Sequence, residues 1–297
     1  METVENCPLC GDPRSKVALS PTDHTVSKQA FDIRECEACG FRFTSPRPAQ
    51  DEIGAYYLSD DYISHAAKAT SLRDHIYRWV RRRTIKGKHR LIARSHPTGA
   101  VLDIGCGTGD FLTYLKTKGY TVQGVEVSPQ ARELAQGKGL DVVTTLEEIK
   151  PEPRYNVITL WHVLEHVANP KETLARLHQL AQDDALLVIA VPDRSSWDAQ
   201  HYGVDWAAWD VPRHLSHFRR EDLRKLLAAA GFELREIRNM WFDAPYVAML
   251  SEQYRGAGSL GSLIKGATVG LWSNAVAWLS GRSTSSSLYL AKKAKRP

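Results

Sequence analysis

Two short knuckles, CPLCG and CEACG, place Cys7, Cys10, Cys36 and Cys39 in two CxxC pairs near the start of a 297-residue chain. Together they offer four thiolates, the set that tetrahedral Zn²⁺ accepts at about 2.3 Å, and such a site is structural because no position is left for water. A redox pair or iron is the other use of these thiols. A second pattern is VLDIGCGTGDFL, an apolar run ending in Asp103, then Gly105, Gly107 and Gly109 around Cys106, then Asp110. Glycines in such a turn let the backbone approach a ligand that a Cβ would block, and the following helix start favours a carboxylate or phosphate. A dinucleotide fingerprint would need glycine where Asp110 stands, and no Gly-Lys-Ser/Thr follows for a Walker loop. The third pattern, WHVLEHV, sets His162, Glu165 and His166 on one helical face. WDVPRHLSHF adds His214 and His217, with Trp206 and Trp209 upstream to stack on or enclose a substrate. Imidazoles beside a carboxylate suit proton abstraction near pH 7 or the holding of a divalent cation.

These groups need elements to carry them. From Gly99 onward apolar runs at 101–104, 121–127, 141–144, 156–161 and 186–191 are separated by helix-length stretches, as βαβ units require. Two more candidate strands, 233–238 and 287–292, lack that spacing. The chain therefore divides into a zinc-binding module at 1–45, a basic helical linker at 46–98 and an α/β domain at 99–297. Within the linker, Leu72, Ile76 and Val80 follow helical spacing over a mostly helical 51–94. Within the domain, 239–286 reads as a helical insertion whose apolar residues Leu260, Ile264, Ala267, Leu271, Ala275 and Trp278 describe one stripe. That stripe is expected to pack on the domain or roof a substrate pocket. The alternative is peripheral contact with a membrane or lipid substrate through the 259–281 helix. Lys265, Asn274 and the many Gly and Ser argue against a membrane span.

Asp103-x-Gly-x-Gly-x-Gly, with acidic Glu126 in GVEVS about twenty residues past the glycines, resembles class I S-adenosylmethionine-dependent methyltransferases from about Gly99 to the C-terminus. The resemblance implies a Rossmann-like sheet, mostly parallel with the last strand antiparallel. It also implies S-adenosylmethionine as cofactor. Asp103 and the backbone of Gly105, Cys106 and Gly107 would face its methionine moiety, with Gly109 closing the turn. Glu126 would bind the ribose hydroxyls, Val127 and Leu146 would flank the adenine, and Trp161 and His162 would close over the cofactor. Cys106 is then a small loop residue rather than a nucleophile.

The LEHV segment is similar to that of ubiquinone-pathway O-methyltransferases, in which carboxylates and the histidine hold a divalent cation near the acceptor. Here His162 replaces the first acid. The resemblance implies methylation of a small-molecule acceptor, at a hydroxyl on a sugar, quinone-like or lipid-linked compound. His166, then His214, are the candidate bases, with His162 and Glu165 beside them. A divalent cation such as Mg²⁺ on His162, Glu165 and His166, or a purely structural helix cap, are the other readings. Zinc modules precede methyltransferase domains in some sugar-modifying and ribosomal-RNA-modifying enzymes. An RNA methyltransferase docking through the zinc module and the basic linker is therefore an alternative, though ITLWHVLEH stands where an Asn-Pro-Pro-Tyr-type motif would be. A non-catalytic zinc-dependent binding protein is disfavoured because Asp103, the glycines and Glu126 are all present.

The net charge of +5 is local: nine Lys/Arg fall between Arg73 and Arg94 against the single acid Asp74. That argues against a surface coated for nucleic acid, and the patch reads as a solvated helix face or a binder of phosphate-bearing substrate or anionic lipid. The start, METVENCPLCGDPR, has no apolar h-region, so a cytoplasmic protein without disulfides is expected, peripheral to the membrane if the insertion touches lipid.

Overall fold

The computed structural model describes residues 1–57, 72–152 and 154–294, and the side chains of 72–80 lie outside that description. A seven-stranded sheet forms the centre of the fold. After the short N-terminal strands β1 (Ser15–Leu19), β2 (Ile33–Cys36) and β3 (Arg42–Thr44), the sheet uses β4 (Ala100–Ile104), β5 (Thr121–Val125), β6 (Asp141–Val143), β7 (Tyr155–Trp161) and β8 (Ala181–Pro192). It is completed by β10 (Phe232–Asn239) and β11 (Ser286–Lys293), in the order β10-β11-β8-β7-β4-β5-β6. The strands from β4 to β8 run parallel, and β11 enters antiparallel between β8 and β10. A mostly parallel sheet with an antiparallel last strand is what the resemblance implies.

Period-two alternation sorts the strand residues between two cores. Leu102, Ile158, Leu160, Leu187 and Ile189 face one side, where they meet leucines of α4 (Pro170–Leu180) and α6 (Arg220–Ala229). Val101, Val157, Leu186, Val188 and Ala190 face the other, against Ile92 of α1 (Leu72–Ala93), Leu112 and Leu115 of α2 (Asp110–Lys116) and Ala135 of α3 (Pro129–Gln136). The result is a three-layer αβα stack, so ligands are expected in the crevice at the carboxyl ends of the parallel strands.

Three expectations need correction or restriction. The 239–286 insertion holds two helices, α7 (Asp243–Tyr254) and α8 (Ser259–Ser280), because the Gly256–Gly258 segment turns the chain between them. The N-terminal module does not stand alone. The two-residue strand β9 (Ser216–His217) pairs antiparallel with β3, so residues from beyond the main sheet complete the four-stranded order β1-β2-β3-β9. Of the helical reading at 51–94, residues 58–71 and the Leu72, Ile76 and Val80 side chains lie outside the described residues, while Ile53–Tyr57 forms a 3-10 turn and α1 carries the rest.

Candidate active site

The turn after β4 supplies the backbone geometry for a ligand. Gly105, Gly107 and Gly109 all have positive φ, at 66°, 54° and 76°, which L side chains rarely adopt. A Cβ on Gly105 would strike Val163 and one on Gly109 would strike Leu140, whereas a Cβ on Gly107 would have nothing within 4 Å. Gly107 thus faces open space, a cleft of about 370 Å³ lined by Asp103, Gly105, Cys106, Phe111 and Trp161. Cys106 turns its buried thiol toward Gly124, and burial pushes that thiol up to about 12, so it is inert as a nucleophile near neutral pH.

Two acids stand by the cleft, Asp103 in its lining and Glu126 bonded to Gly107. Asp103, buried at the end of β4, accepts a hydrogen bond from Thr159 Oγ1 at 2.5 Å. Burial raises its carboxyl to about 6, against the pull of Thr159 and of the Lys88 ammonium. Glu126, just past β5, accepts Gly107 N–H on one oxygen and Ser128 N–H on the other, both at 2.8 Å. A carboxylate has about four lone-pair sites, so two remain for hydroxyl donors. The opposite wall is basic and was not legible in the sequence. Lys88 of α1 lies over the Trp161 ring at 4.2 Å, and Arg81 pairs with Asp110 at the mouth. The Trp161 indole N–H is buried without a partner. The segment Arg73–Arg94 is therefore not a uniform solvated face, since two of its cations line the cleft. Val127, next to Glu126 in the chain, is exposed, and Leu146 is buried.

Beyond β7 the chain enters a short 3-10 turn, Leu164–His166, rather than an α-helix. His162, with φ of 56°, sits between Glu165 Oε1 and Asp243 Oδ2, each 3.4 Å from one of its ring nitrogens. Burial opposes its charge, but the two carboxylates win and raise it to about 10. It is thus already protonated near pH 7 and cannot take a proton, which removes it as a candidate base. Glu165 is 1% exposed, and neither of its oxygens receives a hydrogen bond.

His166 and His214 meet edge to face, their ring centroids 4.6 Å apart. His166 Nδ1 lies 3.0 Å from both the Arg213 carbonyl and the Tyr57 hydroxyl, and His214 Nδ1 lies 2.9 Å from the Ala208 carbonyl. Each ring therefore commits one nitrogen to a carbonyl, and the second nitrogen of His214 lies 3.8 Å from Asp210 Oδ2. Burial, then the neighbouring His214, lowers His166 to about 4, so it is neutral at pH 7. One ligand atom each from Glu165, His166 and His214 falls within 4.8 Å of the others.

Other expected site residues serve the core. Trp206 and Trp209 are buried at 2% and 4%, their indoles donating to Asp198 of α5 (Trp197–Tyr202) and to the Gly203 carbonyl, so they do not face a substrate. His217 is buried in β9 with Nε2 3.0 Å from Thr44 Oγ1. In the N-terminal unit the four CxxC sulfurs converge, Cys7 on Cys39 at 3.6 Å and Cys10 on Cys36 at 3.5 Å. Those spacings are far beyond a disulfide. They sit close to the roughly 3.8 Å edge of a tetrahedron of sulfurs around zinc.

A methyltransferase-domain family model matches residues 76–237, more than half of the chain, and the chain belongs to that family. Among curated proteins, a ubiquinone biosynthesis O-methyltransferase of Rickettsia canadensis is 22% identical over 156 residues, 48% of this chain and 66% of that protein. Its namesake from Saccharophagus degradans is 26% identical over 158 residues, covering 48% and 67%. The chain thus spans about two-thirds of the length of these relatives. Among solved structures, the 1,6-didemethyltoxoflavin N1-methyltransferase of Burkholderia thailandensis, with bound 1,6-didemethyltoxoflavin and S-adenosylhomocysteine, superposes with a TM-score of 0.50 at 20% identity. That match covers 92% of this chain and all of the other, and it shows a shared fold.

Proposed function

We propose that this protein transfers a methyl group from S-adenosylmethionine to a hydroxyl of a small-molecule acceptor, a sugar, quinone-like or lipid-linked compound. The observation that carries the reading is the cleft. Glu126, pinned by two backbone N–H groups, keeps lone pairs for ribose hydroxyls, Asp103 awaits a cationic group, and Lys88 and Arg81 suit a carboxylate. Gly107 offers backbone without a Cβ in the same space, and Trp161 an unused N–H. Bound there, S-adenosylmethionine supplies an electrophilic methyl for in-line displacement. The protein's part is to align the acceptor and remove its proton.

His166, neutral and in contact with His214, is the group proposed to accept that proton, and the negative charge of buried Glu165, already paired with His162, lies beside it. A second reading rests on the same cluster. Glu165, His166 and His214 make a two-histidine, one-carboxylate set for a divalent cation, with His214 in the place expected of His162. In the N-terminal unit we propose a structural zinc on Cys7, Cys10, Cys36 and Cys39.

Incubation with methyl-labelled cofactor and a lysate divided into lipid, small-molecule and RNA fractions tests the acceptor class. Label in the lipid or small-molecule fraction is expected, and label confined to RNA would overturn it. Glu126→Ala is expected to weaken cofactor binding by roughly 1.5–3 kcal/mol, the cost of removing a charged acceptor from hydroxyl donors. Calorimetry on the variant reads this directly, and an unchanged affinity would remove Glu126 from the ribose site. The carboxyl of Asp103, ionised above about 6, favours a cationic ligand only in that form. Affinity for S-adenosylmethionine is therefore expected to fall as pH drops through about 6, and a flat profile between about pH 5 and pH 8 would take Asp103 out of contact.

A further inference from the structure

The apolar stripe of α8 does not pack on the domain, contrary to the expectation from its spacing. The inward face is instead Ser262, Gly266, Gly270, Ser273 and Ala277. A Cβ on Gly266 would come within 2.4 Å of Met249 Cα, and one on Gly270 equally close to Pro245 Cα, so α7 and α8 pack backbone against backbone. This turns the large residues outward: Leu260 is 72% exposed, Leu271 63% and Trp278 75%. Trp241, Tyr246 and Phe242, the last 94% exposed, continue the surface at the start of α7. A soluble helix shows the reverse pattern, and an apolar surface of this extent marks an interaction site.

We propose that the α7–α8 hairpin seats the protein on an anionic lipid bilayer, with α8 lying in the interface plane. Charge selects this occupant. The two acids of the hairpin are turned inward, Glu252 buried against Tyr202 and Asp243 facing His162, whereas Lys265 and Arg282 are exposed cations. An outward face of Trp, Phe and Leu with cationic flanks is the composition of an interfacial helix, and among the described residues no helix is long and apolar enough to cross a membrane. The surface also begins at the site, because Phe242 directly precedes Asp243, which lies 3.4 Å from His162. Resting on the function proposed above, this arrangement lets an acceptor with an apolar anchor reach the histidines from the bilayer.

The test is sedimentation of the full chain with vesicles of phosphatidylcholine containing about one-third phosphatidylglycerol, beside pure phosphatidylcholine vesicles. The protein is expected to pellet with the anionic vesicles and to be released by salt. Trp272→Ala/Trp278→Ala, two exposed residues outside the cleft, should reduce partitioning at least about tenfold while thermal unfolding and cofactor titration stay unchanged. Wild-type protein left in the supernatant, or equal binding by the variant, overturns the proposal. So does a dimer that the double substitution dissociates without any vesicle binding, which would make the face a contact between copies. Cofactor titration of the same preparation separates the two readings, since vesicle binding without cofactor binding sinks the methyltransferase function and leaves the docking surface standing.

Discussion

Stripping the metal from the four cysteines is expected to unfold the N-terminal unit and to abolish methyl transfer while leaving cofactor binding within about twofold of its original strength. A structural zinc contributes on the order of 10 kcal/mol, more than a short module can recover from its own core. Burial drives the Cys7 thiol upward beyond the ordinary range and that of half-buried Cys39 to about 11, so without a cation these two are neutral thiols. The effect travels along a defined path. Residues Arg42 and Phe43 of β3 pair with His217 and Ser216 of β9, and Thr44 Oγ1 donates to the His214 carbonyl at 2.7 Å. Loss of β3 therefore releases the segment that places His214 against His166, whereas Asp103, Gly107 and Glu126 lie at or just past the ends of β4 and β5. Elemental analysis should find one zinc per chain, and chelation followed by circular dichroism and calorimetry should show the split between activity and binding. A zinc content near zero in protein prepared without chelator would remove the site.

Replacing the base is expected to lower turnover by about 10²–10⁴-fold with cofactor affinity nearly unchanged, because the lost interaction forms only in the transition state. His166→Ala should carry the larger loss. Its ring has a neutral lone pair, it belongs to the turn that leaves β7, and Glu165 adjoins it in the chain. His214→Ala removes the partner ring and should cost less if a proton is all that moves. A divalent cation reverses that expectation. Glu165, His166 and His214 would then be needed alike, chelation would stop the reaction, and Mg²⁺ would restore it, with His162→Ala the mildest change of the four. Near-wild-type turnover for both His166→Ala and His214→Ala would show that positioning alone carries the chemistry.

What could be read from residues alone was whatever the backbone enforces locally. Three glycines at positive φ, an aspartate at a strand end and an acid past the next strand are dictated by contacts within a few residues; the structure puts Asp103, Gly105 and Gly107 in the lining of one cleft, with Glu126 hydrogen-bonded to Gly107 N–H. The parallel strands were legible for the same reason, as continuous apolar runs. The orientation of α8 was not. Both of its faces repeat at helical spacing, and only the close approach of α7, allowed by glycine at 266 and 270, decides that the small face turns inward. Lys88 was one cation among nine until α1 folded along the crevice and laid it on Trp161. The pairing of β3 with β9 joins residues more than 170 positions apart through a strand of two residues, too short to leave a pattern. Trp206 and Trp209 looked available because aromatic residues suit ligands, yet their N–H groups found partners in the core, Asp198 and the Gly203 carbonyl.

The most direct test of the central claim is calorimetric titration of the intact chain with S-adenosylhomocysteine, S-adenosylmethionine and NADH. Binding of the first two in the micromolar range, about −8 kcal/mol, is expected, with no heat from NADH. NADH binding without either sulfur ligand would contradict it, because the cleft around Gly107 and Glu126 would then serve a different cofactor.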